Sequence, residues 1–559
     1  MMPRTDPLAQ ISTRRTPQAE QADTRQVPNS AGGFTFTTGK MARLHRFLTL
    51  GTDGGTYYTS EQELTKQNAA IVLEWARADA VGLVNEAVKI SQAGRAPRNN
   101  PALFALAAAA SLGDATGRQT ALGLLPQVAR TGTHLFTFAG YVEQFRGWGR
   151  GLRNAIARWY EAKDDADQLA YQLVKYRQRE GWTHRDLLRL AHPQHREIFR
   201  WATGKDVSIG SVPPLIAAFE EAQAIGTWTP DMPTGTQRRA TDRKQAEAWT
   251  RLIQENPGLS WEMLPDAALT YAGIWEALIA NGMPQTALMR QLPRLTKLGV
   301  LAPMSATTAA VAAQLADPER LKAGRVHPVN VLIALRTYAG GHGLRGSMVW
   351  APVAQITDAL DAAFYAAYGA VEPAGKRTML ALDVSGSMTQ AVSGLPISCR
   401  EASAALALVT AATEPQHMIA GFTSGGGRGG GYGWRNDSAL TQLNISPRQR
   451  LDDAIRTVSN LPFGGTDCAL PMLWALQNRV EVDHFSIYTD NETWAGSMHP
   501  HQALEQYRQQ MGINARLSVV GMTAMDFTIA DPADPGSMDI AGFDSAVPQL
   551  LADFGRGDL

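Results

Sequence analysis

The chain has 559 residues, 44% hydrophobic and 19% charged, with 52 lysines and arginines balancing 52 aspartates and glutamates. That length exceeds one hydrophobic core and allows two to four domains, and a net charge of zero argues against indiscriminate capture of nucleic acid. Cys399 and Cys468, the only cysteines, are too few for a disulfide framework and lack the clustering of a zinc site, so a reducing, cytoplasmic setting is expected.

In chain order, residues 1–25 are rich in Arg, Gln, Thr and Pro and read as a disordered segment. The most hydrophobic later run, residues 102–112, is mostly alanine and too short to span a bilayer, so no membrane association is expected. From residue 60 to 369 helical patterns follow one another, at 61–78, 101–112, 152–162, 165–180, 267–281 and 357–368, with no hairpin signal between them. Many modest helices without a strict period predict stacked helical pairs, an α-solenoid of the HEAT or armadillo kind, over residues 26–370.

Within that region KYRQREGWTHRDLLRLAHP, residues 175–193, reads as two helices meeting at Gly181, with Thr183 as N-cap and Asp186 three residues on. Helical spacing puts Leu169, Leu173 and Val174 on a buried side of the first helix and Tyr171, Lys175, Gln178 and Arg179 on a polar side. In the second, Leu187, Leu188 and Ala191 pack, while Arg185, Arg189 and His192 share another face. Cations beside rings can pair with phosphates and stack on bases, as binding of single-stranded or looped RNA requires. Such a face is more often plain solvated helix surface, and the spacing alone leaves both readings open.

After Pro373-Ala-Gly-Lys376 the pattern changes to alternating strands and helices, with strands at 378–383, 417–422, 484–490 and 516–522. This βαβ order predicts a doubly wound, mostly parallel α/β domain over residues 375–559, with its ligand at the carboxyl ends of the strands. Residues 376–559 carry 12 lysines and arginines against 19 acids, leaving 40 against 33 upstream. An acidic second domain suits a cation and a mildly basic first part suits an anionic partner.

The first of these strands ends in LALDVSGSM, residues 380–388. Neither glycine pattern of a nucleotide-binding loop is present. An aspartyl-phosphate hydrolase would want an acid two residues after Asp383, where Ser385 stands. A hard divalent cation wants several oxygens, and Asp383, Ser385 and Ser387 can turn three toward one point. Further on, Thr466 lies in the glycine loop Gly464-Gly-Thr-Asp467, and Asp490 ends a second strand. D-x-S-x-S, then a loop threonine, then a strand-terminal aspartate resembles the metal-ion-dependent adhesion site of a von Willebrand factor A domain. The resemblance implies that Asp383, Ser385, Ser387 and Thr466 hold Mg²⁺ directly or nearly so, with Asp490 reaching it through water. No acid–base constellation accompanies Asp383, so no enzyme is expected. The glycine-rich stretch 424–433 reads as a flexible loop or an arginine–glycine RNA contact.

Four stretches, RFLTLGTDGGTYY at 46–58, residues 175–193, HPVNVLIALRTY at 327–338 and TDNET at 489–493, together resemble the Ro autoantigen family of TROVE-domain ribonucleoproteins, from about residue 26 to the end. The resemblance implies a ring of HEAT-like repeats closed by a von Willebrand A domain. It also implies binding of small noncoding Y-like RNA on the outer surface and of single-stranded ends of misfolded RNAs in a central hole, with connection through Y RNA to an exoribonuclease, polynucleotide phosphorylase. The family's RNA-contacting lysine, arginine and histidine fall on Lys175, Arg179 and His192, and a family-like arginine cluster on Arg146, Arg150 and Arg153. The competing expectation is a metal-dependent protein-interaction scaffold to which RNA is incidental.

Overall fold

The computed structural model describes residues 15–51, 61–163, 165–179, 181–194, 196–228, 235–343, 347–369, 371–392, 395–424, 440–446, 449–461, 464–523 and 525–559. The stretch 424–433, apart from Ser424, lies outside them. The chain forms two compact units. One holds the described residues up to Ile71, Arg95–Pro97 and those from Tyr368 on; the other holds Val72–Gly94 and Arg98–Ala367.

Residues 15–25 are not the disordered segment their composition suggested. Gln18 is fully buried, and its backbone N–H donates to the Gly496 carbonyl at 2.9 Å. Strand β1 (Gln26–Pro28) pairs antiparallel with β2 (Phe34–Thr37), and the helix Lys40–Leu50 follows. Polar composition misled here because buried hydrogen bonds, rather than apolar area, fasten the segment.

The second unit is helical, as expected. Helix Asn100–Leu112 packs against Ala80–Ala93, Ala115–Val128 and Gly132–Phe145. Its run of buried alanines faces neighbours on all sides, which is why it lacks a polar face. Starts are set by side chains that accept free backbone N–H groups, Asp79 from Gly82 at 2.8 Å and Asp114 from Gly117 at 2.7 Å. The helix expected over 165–180 stops at Lys175. Beyond it β3 (Gln178–Arg179) and β4 (Trp182–Thr183) form a two-stranded hairpin, which the helical reading had excluded. Gly181 at φ +77° turns it, a conformation that ends helices rather than continuing them.

Two imidazoles in this unit give it an acid limit. Burial holds His134 and His184 down to about 4; His184 lies between the Tyr160 hydroxyl at 2.7 Å and the Gln172 carbonyl at 3.1 Å. Between about 6.5 and 4 the unfolded chain binds more protons than the folded one, so stability is complete above that window and falls as pH drops through it. We expect a loss of about 2 kcal/mol per ring between pH 7 and pH 5. Urea unfolding followed on the tryptophans of wild type and His134→Gln should show a shallower pH slope in the variant; equal slopes would mean the ring is not held neutral.

In the first unit, β5 (Thr378–Asp383), β6 (His417–Phe422), β7 (Leu440–Leu443), β8 (His484–Thr489), β9 (Arg516–Gly521) and β11 (Ser537–Ala541) form a sheet of order β11-β9-β8-β5-β6-β7. It is parallel except for β7, which runs antiparallel to β6 at the edge. Buried apolar residues such as Met379, Phe422, Phe485 and Val519 make its core with helices Leu470–Gln477 and Pro500–Met511. Between β9 and β11, β10 (Phe527–Thr528) adds to β2, giving the small sheet β1-β2-β10. Among the described residues no helix is long and apolar enough to cross a membrane.

Candidate metal centre and nucleic-acid interface

The sheet delivers Asp383 and Asp490 to neighbouring strand ends, because β5 and β8 pair in parallel and both loops leave at their carboxyl edge. Asp383 is fully buried. One of its carboxylate oxygens accepts the Ser385 N–H at 2.9 Å and the other accepts the Thr489 hydroxyl at 2.7 Å. The Ser385 and Ser387 hydroxyls lie 3.0 Å apart. Thr466 is 1% exposed, and its hydroxyl is buried with no hydrogen-bond partner. Burial raises the pKa of both Asp383 and Asp490, and the nearby Asp383 charge lifts Asp490 further, with hydrogen bonds from the serines opposing. Arg400, the cation acting on Asp383, donates to the Val384 and Ser385 carbonyls.

Two buried like charges, a pair of serine hydroxyls and an orphaned threonine hydroxyl are a donor set that a hard divalent cation would complete, so the residues present fit Mg²⁺. Among the described residues no group of three or more His, Cys, Asp or Glu stands ready for a metal, which leaves hydroxyls to supply the remaining oxygens.

Two side chains beside this centre escaped the sequence reading. Glu492 is pushed up to about 8 by burial and by the Asp490 charge, and one of its oxygens accepts the Ala31 N–H at 3.0 Å. Its place in TDNET was the only signal. Gln18 donates to Asp467 at 2.7 Å and to the Met498 carbonyl at 2.7 Å, and accepts from the Thr493 hydroxyl; nothing in its sequence context marked it. Gly33 closes the same contact, since a Cβ there would lie 2.0 Å from the Thr493 carbonyl oxygen.

The candidate RNA residues divide. Thr183 and Asp186 form the expected capping box at the start of helix His184–Ala191. Leu187, Leu188 and Ala191 are buried, and Arg185, Arg189 and His192 are exposed, with His192 in the left-handed region at φ 50° ending the helix. Arg179 is exposed on the hairpin, paired with Trp182 in register. Lys175 and Arg179 therefore share no helical face, because the helix has already ended between them.

Lys175 does not face solvent either. Its side chain is 9% exposed, 3.7 Å from Glu262, and its ammonium donates to the Tyr171 hydroxyl at 2.6 Å beneath the Tyr171 and Tyr176 rings. Burial disfavours that charge, but the two tyrosines and Glu262 outweigh it and raise its pKa. Arg146, Arg150 and Arg153 are exposed.

A helical domain followed by an α/β domain with a hydroxyl-rich carboxylate centre at its strand ends defines a chain that pairs a helical unit with a von Willebrand factor A domain. Sequence profiles of the Ro60 vWA domain and of the TROVE domain match residues 377–555 and residues 27–254 and 236–337, respectively. The chain belongs to the TROVE-domain Ro60 family. It is 41% identical over 556 residues to the RNA-binding protein RO60 of Deinococcus radiodurans, covering 99% of each chain. It is 35% identical over 612 residues to that of Caenorhabditis elegans, covering 98% of this chain and 92% of the relative. The crystal structure of the Deinococcus radiodurans RO (RSR) protein matches with a TM-score of 0.66 at 39% identity, covering 93% of this chain and 100% of that one. The TROVE match begins at residue 27, whereas the compact helical unit begins at Val72.

Proposed function

We propose that the chain is a noncatalytic, Ro-type RNA-binding protein of the cytoplasm. Its partners are small Y-like RNAs and misfolded or structured RNAs with single-stranded ends, in RNA maturation, quality control or decay, with an exoribonuclease such as polynucleotide phosphorylase reached through the RNA. The observation that carries this reading is the exposure of Arg179 on the hairpin and of Arg185, Arg189 and His192 on and at the end of the capped helix, in a chain whose relatives are named RNA-binding proteins. Guanidinium groups held on such elements pair with phosphates and with unstacked bases.

Arg179→Ala combined with Arg189→Ala is expected to weaken binding of a stem-loop RNA with a single-stranded end and to lower the slope of log affinity against log salt by about 1 per lost phosphate contact. Lys175→Ala should leave the slope unchanged, since its ammonium is already committed to Tyr171 and Glu262. Filter binding from low to moderate salt decides; a slope that falls for Lys175→Ala and not for the arginine pair would overturn this placement.

The metal centre supports a second contact. Mg²⁺ held by Asp383, Ser385, Ser387 and Thr466, with Asp490 behind, would supply an electrophilic point for a partner's carboxylate. Trp494 stands beside it, 40% exposed, with its backbone N–H donating to the Thr466 carbonyl at 3.1 Å. This favours the scaffold reading as an added activity of the same protein.

A further inference from the structure

In the helical unit a cleft of about 930 Å³ opens beside the hairpin and helix His184–Ala191. It does not include Lys175, Arg179 or Arg189; it shares Arg185 with the residues proposed above and adds aromatic surface to it. Phe219 lines it, buried, with the Arg177 guanidinium 5.1 Å from its ring centroid. Trp201 meets Phe219 edge to face at 6.4 Å and is held there by its Nε1–H donating to Glu220 at 3.0 Å. Arg185 lies over Gly204, its guanidinium 2.5 Å from where a Cβ would stand, and Gly204 sits at φ +76°, a conformation that favours glycine. Lys205 follows it on the same rim.

The formal charges of the lining balance, three cations against three carboxylates, but two of the carboxylates are engaged by hydrogen bonds within the fold. Asp186 caps helix His184–Ala191 and Glu220 holds Trp201. Asp206 is the remaining carboxylate, against Arg177, Arg185 and Lys205, none of which has an ion-pair partner among the described residues. Aromatic surface and a stacked guanidinium at the wall, with cations at the rim, suit a planar ring attached to an anion.

We propose that this cleft takes one unstacked nucleotide of a bound RNA, its base against Trp201 and Arg177 and its phosphate at Arg185 and Lys205. The proposal rests on the RNA reading above and deepens it: phosphate contacts at Arg179 and Arg189 would place the RNA, and the cleft would select RNAs able to offer a free base.

The test uses two stem-loop RNAs of identical sequence with one unpaired position, carrying adenine in one and abasic in the other. The full-length wild type should prefer the adenine RNA by roughly 10-fold, the scale of one base stacking on an aromatic side chain. Trp201→Phe should keep the preference, whereas Trp201→Ala and the exposed Arg177→Ala should lose it while binding the abasic RNA as well as wild type does. Equal binding of both RNAs by wild type would overturn the cleft assignment and leave the RNA reading standing. Failure of wild type to bind either would overturn that reading instead. Saturation by adenosine monophosphate alone, without any base preference in RNA, would assign the cleft to free nucleotides and overturn its role in RNA selection.

Discussion

Arg46→Ala is expected to destabilise the strand-rich unit by about 3–5 kcal/mol, the range for removing one partner from a buried ion pair. Arg46 is fully buried. Its guanidinium grips Asp539 on β11 through both carboxylate oxygens, at 2.6 and 2.7 Å, and donates to the carbonyls of Phe527, at 2.9 Å, and Met525. Alanine would strand a poorly solvated carboxylate and two carbonyls at once. Arg46→Lys should rescue little, because a single ammonium cannot span a carboxylate and two carbonyls as the planar fork does. Urea unfolding decides: a loss below about 1 kcal/mol for Arg46→Ala, the scale of an exposed pair, would contradict a desolvated anchor.

Asp383→Asn is expected to have two effects of opposite sign. Without divalent cation the variant should be more stable than wild type by about 1–3 kcal/mol, because it relieves repulsion between two buried carboxylates while its amide oxygen still accepts the Ser385 N–H and its NH2 can donate to the Thr489 hydroxyl once that hydroxyl turns. With Mg²⁺ at about 100 times its dissociation constant, wild type should gain about 2.7 kcal/mol and the variant nothing. Thermal unfolding with Mg²⁺ or with chelator reads both arms. A wild type indifferent to Mg²⁺, and also to Mn²⁺, would mean that the orphaned Thr466 hydroxyl and its neighbours hold no cation.

What the sequence disclosed follows from the range over which each element is specified. LALDVSGSM was legible because an apolar strand and the polar loop at its end are adjacent in the chain, and Thr466 and Asp490 recur at the ends of equally plain elements. The capping box at Thr183 and Asp186 was legible for the same reason. Helix periodicity overran at Lys175, since Gln178 and Arg179 continue an amphipathic pattern that Gly181 breaks in space. Periodicity also could not show that Lys175, although on the polar side, would be claimed by Glu262, which is 87 positions away in the chain. Strands β1, β2 and β10 are two to four residues long, too short for alternation to register. The run beginning at Arg46 was informative as a resemblance, but its arginine serves an ion pair with Asp539 that only the folded chain reveals.

The pairing of β2 with β10 also sets a timetable for biosynthesis. Thr37 lies opposite Phe527, so 490 residues must be translated before the first strands meet their partner. At roughly 5–20 residues per second that wait is on the order of 25 to 100 s. The helical unit has time to fold on the ribosome while the emerging amino-terminal strands remain without their edge. During that interval they offer unpaired N–H and carbonyl groups to any other nascent chain, which makes this short segment a place for chaperone attention. It also means that the carboxyl-terminal domain produced alone would lack strands β1 and β2, the Gln18 contacts and the Arg46 anchor together.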